Sequence, residues 1–567
     1  MPQCPQCQKQ FEIRPQDIEF YVKFNVPSPT LCQYCRLQNR LNFRNERTLY
    51  NRKSDLSGKN IVSIYSPDNR YKVYATDEWW GDKWDGLEQG QEYNFSKPFF
   101  EQFQQLLLKV PRIALFNVNP YNSDYCQQAY NNKNCYLCTV VTQCEDSMYL
   151  AHTNKADSSY DCSYTQNIQL CYDCVDSDKL YGCIACQSCQ NSNDLIFCYD
   201  CIGCKNCFGS AGLRNKEFYI FNKKYLKEEY QDKIEALELF KYSNFIKYKN
   251  YFHDIAKQAI QRADRNLNTE DSLGNYLINA KNCYQCFDSF EIQDCSYCTW
   301  IFNSSDCHDI YGLGGGKFAY ESVGVENVNF CAFNTFVSDS NDIFYSDCCF
   351  YSSNLFGCSG LKNKKYCILN KQYTKEEYEV LVPKIIESMM NPPSPLSLKG
   401  GTNLLPLSER EAGRDSEWGN FFPVSLSPFA YNESIAPFYF LLTTEEALAK
   451  GYSWKDDNKK EYQKQNFEIP DSIEDVDNQI TNKILACTDC NKNYKIMLTE
   501  FNFYKKMGLP IPRKCTNCRY QDQMNLRNPI YILDRNCSKC NSQIKTTYTE
   551  NLASFVYCQK CYSETVD

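Results

Sequence analysis

The stretch CYDCVDSDKLYGCIACQSCQ, Cys171 to Gln190, decides the architecture, because Cys171 and Cys183 stand twelve residues apart and so do Cys174 and Cys186. Extending outward, Cys126, Cys138, Cys162, Cys174, Cys186 and Cys198 are separated by multiples of twelve, with Leu150 in the one vacancy. A second row, Cys135, Cys171, Cys183 and Cys207, keeps the same step three residues earlier. After a break the step resumes at Cys283, Cys295, Cys307, Ala319, Cys331, Ile343 and Leu355, with Cys286, Cys298 and Cys358 as the companion row. A short fixed period marks stacked repeats. In Asn134-Cys135-Tyr136, Asn282-Cys283-Tyr284 and Asp294-Cys295, a residue that tolerates left-handed backbone stands before a residue suited to a short strand. Rungs stacked at ~4.8 Å would lay equivalent side chains in ladders around a narrow interior that suits Cys, Ser and Ala. The period alone leaves open whether a full coil takes one unit or two.

The fold expected is mainly β with α: two parallel β-solenoid-like cysteine-rich arrays with helical connectors, flanked by treble-clef and zinc-ribbon modules. The arrays are themselves a duplication. A shift of 148 carries Cys135 onto Cys283, Leu213-Arg214-Asn215-Lys216 onto Leu361-Lys362-Asn363-Lys364, and Lys227-Glu228-Glu229-Tyr230 onto Lys375-Glu376-Glu377-Tyr378. Each array should therefore end in the same capping helix, the second with a Thr374/Glu377 capping box.

The two ends are also copies. A shift of 483 carries Cys4, Cys7, Cys32 and Cys35 onto Cys487, Cys490, Cys515 and Cys518. It also superposes Arg36, Asn42, Arg44, Asn45 and Arg52 on Arg519, Asn525, Arg527, Asn528 and Arg535. Paired Cys-x2-Cys turns deliver four thiolates to one tetrahedral ion. The C-terminal copy adds Cys537, Cys540, Cys558 and Cys561, where the N-terminal copy has Ser54, Ser57, Ala75 and Glu78. The expectation is about three Zn2+ per chain, one at the N-terminal end and two at the C-terminal end. Packing of Tyr65, Tyr71, Val73, Tyr74, Trp79, Trp80 and Trp84 should replace the missing ion.

This reading divides the chain into residues 1–95, the first zinc module; 96–122, a linker helix with Phe99, Phe100, Phe103, Leu106 and Leu107 on its apolar face; 123–212, the first array; and 213–271, a helical connector. There follow 272–362, the second array; 363–390, a helix; 391–480, a linker and an aromatic, proline-rich segment; and 481–567, the second zinc module.

A chain of 567 residues is too long for one core, and 36 cysteines without a secretory leader point to metal ligation and packing rather than disulfides. Two other uses of the array thiols are weighed: a cluster site at Cys201, Cys204 and Cys207, and disulfide cross-linking of the rungs. A ladder spreads thiolates along an axis, whereas a cluster needs them to converge. The net charge of −8 excludes a globally basic coat. No apolar run reaches the length of a membrane span, so a cytoplasmic protein with no membrane partner is expected. The three histidines, His152, His253 and His308, sit in no recognisable motif with a nucleophile or acid. With no carboxylate pair or phosphate loop in the sequence either, an enzyme is not expected.

What remains is basic. Arg36, Arg40, Arg44, Arg47, Arg52 and Lys53 follow the first knuckle, the first four at helical spacing, and Arg519, Arg527 and Arg535 answer them at the far end. One face of arginines suits phosphates, giving a non-enzymatic scaffold that binds nucleic acid or a ribonucleoprotein. The competing reading pairs these arginines with carboxylates of the arrays. A protein-interaction or metal/thiol-buffering protein is the alternative function.

The motifs RNERTLYNRK, GKNIVSIYSPD, WWGDKWD, LRNKEFYIFNKKYLKEEY and GNFFPVSLSPFAYNESIA resemble a family of cysteine-rich zinc-ribbon proteins of candidate-phylum bacteria. The resemblance spans nearly the whole chain and implies the same order of zinc module, two repeat arrays and zinc module. It carries no catalytic residues, and its pattern has cysteines where Ser54 and Ser57 stand here.

Overall fold

The structure is a computed structural model that describes residues 1–393, 416–456 and 462–566. Most of the linker expected after Asn391 lies outside the described residues. Strands dominate a mixed α/β fold, and the strands stack in chain order. Thr139 pairs with Ala151, Ser163 with Val175, and Asn193 with Lys205, always in parallel and always twelve residues on. The first pair of the second array, Leu267 with Ile278, runs at eleven before the step settles at twelve. The parallel pairing therefore repeats once per twelve-residue unit.

Backbone conformation explains how so few residues close a turn. Positive φ recurs at every third position, as at Asn131, Asn134, Leu137, Val140, Gln143, Asp146, Tyr149 and His152. Each twelve-residue unit thus carries a left-handed corner at every third residue. The residue after each corner is buried, as at Cys135, Cys138, Val141, Cys144 and Ser147, all at most 2% exposed. Asn and Asp meet the corner demand cheaply, as expected, but Leu137, Val140 and Tyr149 occupy it as well. Stacking on the next rung outweighs their local cost: Asn134 Nδ2 donates to Asp146 Oδ1 at 2.8 Å, and the backbone N–H of Tyr149 to Tyr136 O at 3.0 Å.

Each array ends in a reversed strand, Lys223–Lys224 or Lys371–Gln372, which pairs antiparallel to the last rung. A helix follows, Lys227–Glu235 in the first case and Lys375–Met390 in the second, the latter with its Thr374/Glu377 box formed. The single helix expected after the first array is two, since Tyr242–Gln258 is separate. The helix Phe99–Lys109 buries all five expected apolar residues.

The chain divides into two compact units that do not follow sequence order. One joins Met1–Leu115 to Arg265–Lys455, hence the N-terminal module to the second array. The other joins Phe116–Asp264 to Asp456–Asp567, hence the C-terminal module to the first array. In the first unit the segment from Phe421 to Tyr431 lies against the N-terminal module, with Phe429 stacked on Tyr65 at 5.3 Å. No helix among the described residues is long and apolar enough to cross a membrane.

Candidate metal centres and the interfaces they support

Three sets of four thiols converge. Cys4, Cys7, Cys32 and Cys35 form one, Cys487, Cys490, Cys515 and Cys518 its copy, and Cys537, Cys540, Cys558 and Cys561 the third, with the sulfurs of each set within 4.8 Å of one another. The turns that aim them are alike. Cys4 O accepts from Gln8 N at 2.8 Å across a left-handed Gln8, and Cys487 O accepts from Asn491 N at 3.0 Å across a left-handed Asn491. The second pair of each knuckle opens a helix, Gln33–Leu41 capped by Cys32 or Thr516–Leu526 capped by Cys515, whose positive end favours thiolate. A hydrogen bond from Cys35 draws Cys32 down to about 5. Burial raises Cys537, but the backbone N–H groups of Cys540, Cys558 and Lys539 outweigh it and bring the thiol to about 6. These are closed four-sulfur sets, able to hold an ion but leaving no coordination position for substrate.

The fourth, vacated site keeps its turn. Ser54 O accepts from Gly58 N at 2.9 Å, as Cys537 O accepts from Asn541 N. Gly58 (φ 77°) and Asn541 (φ 59°) share the left-handed position this turn requires. In place of an ion, Ser54 Oγ donates to Glu78 Oε2, and the same oxygen accepts from Ala75 N at 3.2 Å. Tyr65, Tyr71, Val73, Trp79 and Trp84 are buried around it, while Trp80 is exposed. One carboxylate oxygen of Glu78 thus ties together Ser54 and Ala75, two of the four positions.

The array cysteines do not converge. All 36 cysteines are free thiols. Interior thiols donate along the ladder, as Cys174 Sγ does to Tyr172 O at 3.6 Å and Cys183 O at 3.5 Å. Burial pushes Cys144, Cys174, Cys331 and Cys367 up to about 12, so these thiols are neutral at physiological pH.

The arginine segment requires a correction. Helical spacing holds only for Arg36 and Arg40, because the helix ends at Leu41 and Arg44 and Arg47 lie beyond it. Nor does the segment form a solvent-facing stripe. Arg36 Nη2 meets Asp309 Oδ2 at 2.7 Å, Arg40 Nη2 meets Asp309 Oδ1 at 3.1 Å, and both guanidiniums reach Glu321 Oε1, at 3.3 and 3.4 Å. All four side chains are at most 6% exposed. Burial disfavours the charged guanidinium of Arg36, and the Asp309 carboxylate more than offsets it, holding the group above its ordinary value. Arg44 pairs with Glu46 at 2.5 Å, and Arg52 with Asp55 at 2.8 Å. Arg47 is half-buried, and of this group Lys53 alone is exposed. At the other end Arg519 meets Asp161 at 3.0 Å and Arg527 meets Asp176 at 2.7 Å, while Arg535 donates to the carbonyls of Tyr548 and Ala553. The physical reason is the array: its buried carboxylates need counter-ions, and the module supplies them.

The residues missed by sequence reasoning are those carboxylates and their aromatic neighbours, and the two interfaces correspond residue by residue. Asp161 and Asp173 become Asp309 and Glu321 under the shift of 148. Tyr297 donates to Asp17 at 2.8 Å, and Tyr149 to Glu500 at 2.8 Å. Phe20 stacks on His308 at 3.7 Å, and Phe503 on Tyr160 at 4.0 Å. An acid recurring at the same rung in both arrays was the available signal.

The fold and sites define a cysteine-rich α/β protein with three tetracysteine centres, two of them beside buried arginine–carboxylate interfaces. No family model matches the chain, and no curated protein matches it in sequence.

Proposed function

We propose that the protein is a non-enzymatic scaffold of two parallel β-solenoids, each clamped by a zinc-held end module, whose uncovered solenoid faces receive a protein partner. Zinc suits the tetracysteine sets. Four Zn–S bonds of ~2.3 Å in a tetrahedron separate the sulfurs by ~3.8 Å. The sulfur pairs Cys7/Cys32 and Cys490/Cys515 stand at 3.7 Å and Cys540/Cys558 at 3.8 Å.

One observation carries the reading: the groups that looked reactive in the sequence are engaged in holding the modules and arrays together. The tetracysteine sets are closed, the array thiols bond to carbonyls, and Arg36, Arg40, Arg519 and Arg527 are in buried ion pairs. What stays outside is polar solenoid surface. On the second array it dips into a shallow groove of about 850 Å³ edged by Lys281, Glu291, Gln293, Asn303, Lys317 and Asn327. Binding nucleic acid through the arginines would leave Asp309 and Glu321 buried without counter-ions.

The test pairs thiol reactivity with nucleic-acid titration. In the zinc-loaded chain the array thiols should resist a disulfide reagent, and RNA and DNA should bind no more tightly to wild type than to Lys281→Glu/Lys317→Glu at any salt. Fast array-thiol reaction would return the thiol-buffer reading. Salt-steep RNA or DNA binding, abolished in an Arg36→Glu/Arg40→Glu chain that stays folded, would return the nucleic-acid reading.

A further inference from the structure

Two copies of one interface in a single chain raise a problem of pairing, since each module has two similar arrays to choose between. The copies differ most at one arginine. In the unit of the N-terminal module, Arg44 carries its own counter-ion, Glu46, and extends over Tyr311 at 5.2 Å into space left by Gly312 and Gly324. A Cβ at Gly312 would stand 2.8 Å from Arg44 Nη1, and one at Gly324 3.0 Å. In the other unit the equivalent Arg527 has Pro529 where Glu46 stands, and takes its carboxylate from the array: Asp176 at 2.7 Å, with the guanidinium 3.3 Å over Tyr164. Tyr164 and Asp176 are the counterparts of Gly312 and Gly324.

We infer that this exchange is a recognition code that directs each module to its own array: the carboxylate that neutralises the arginine lies on the module in one copy and on the array in the other. Both mispairings are penalised. The C-terminal module on the second array would bury Arg527 opposite Gly324, where no carboxylate replaces Asp176. The N-terminal module on the first array would crowd Arg44 against Tyr164 and bring Glu46 and Asp176, two carboxylates, to one guanidinium. A second exchange works in the same direction. Arg40 answers Glu321, whereas Gln523 Nε2 answers Asp173 at 2.9 Å, because Lys249 already neutralises Asp173.

Peptide-resolved hydrogen exchange on full-length, zinc-loaded chains tests the code. Asp176→Gly should speed exchange in the helix Thr516–Leu526 on the order of a hundredfold and leave Gln33–Leu41 unchanged. Adding Pro529→Glu, which gives the module its own counter-ion, should restore most of that protection. No loss with Asp176→Gly, or no recovery with Pro529→Glu, would overturn the inference. If the C-terminal module fails to fold in these variants, the reciprocal variant decides. Glu46→Gln should deprotect Gln33–Leu41 and leave Thr516–Leu526 unchanged. No loss of protection in Gln33–Leu41 would equally overturn the code.

Discussion

Replacing Asp309 with Leu attacks the clamp at its most connected point. Its two oxygens face Arg36 and Arg40 at 2.7 and 3.1 Å, and its side chain is 0% exposed. The wild-type cluster balances two guanidiniums against Asp309 and Glu321, and the variant leaves Glu321 to face both. Removing one partner of a buried pair typically costs about 3–5 kcal/mol, a large share of the ~5–15 kcal/mol that holds a domain together. Adding Arg36→Met restores the balance as one pair, Arg40 with Glu321, beside an apolar contact. The double variant should recover to within about 1 kcal/mol of wild type. The assay is favoured by composition: all six tryptophans, Trp79, Trp80, Trp84, Trp300, Trp418 and Trp454, lie in the unit that holds this cluster, so fluorescence during urea unfolding reports that unit alone. A loss under about 1 kcal/mol for Asp309→Leu, or a double variant less stable than the single, would refute the ion-pair clamp.

Acid should weaken the same unit. Burial holds His308 at about 4, against an ordinary value near 6.5, with Asp17 and Asp309 raising it and Arg14 and Arg36 lowering it. The unfolded chain therefore binds the extra proton first. Stability is full above about 6.5 and falls as pH drops toward 4, by up to about 3 kcal/mol. His308→Tyr, the residue of the other copy, should flatten that part of the urea–pH profile. In the vacated knuckle, Glu78→Ala should cost about 1–2 kcal/mol by leaving Ser54 Oγ and Ala75 N without their acceptor. Writing cysteines into all four positions, Ser54→Cys, Ser57→Cys, Ala75→Cys and Glu78→Cys, should raise the zinc content by one per chain.

The repeat was legible because one residue in three points inward and small or aliphatic residues predominate there; Leu150 could fill a cysteine vacancy in Cys126's row for that reason. The corner at every third residue was not legible, since it puts left-handed backbone at residues such as Val140 and Tyr149 that rarely adopt it. The tetracysteine sets were legible because local turns fix them. Arg36 and Arg40 misled because their counter-ions lie far along the chain, 273 residues from Arg36 to Asp309. For the same reason, chain order gave no hint that the N-terminal module packs with the second array rather than the first.

The most direct test is the number of zinc ions on the intact chain, counted by native mass spectrometry for wild type and for Cys32→Ser. The account predicts three on wild type and two on the variant, with the array thiols carrying none. Fewer than three on wild type, or a count that climbs with the array thiols, would contradict it.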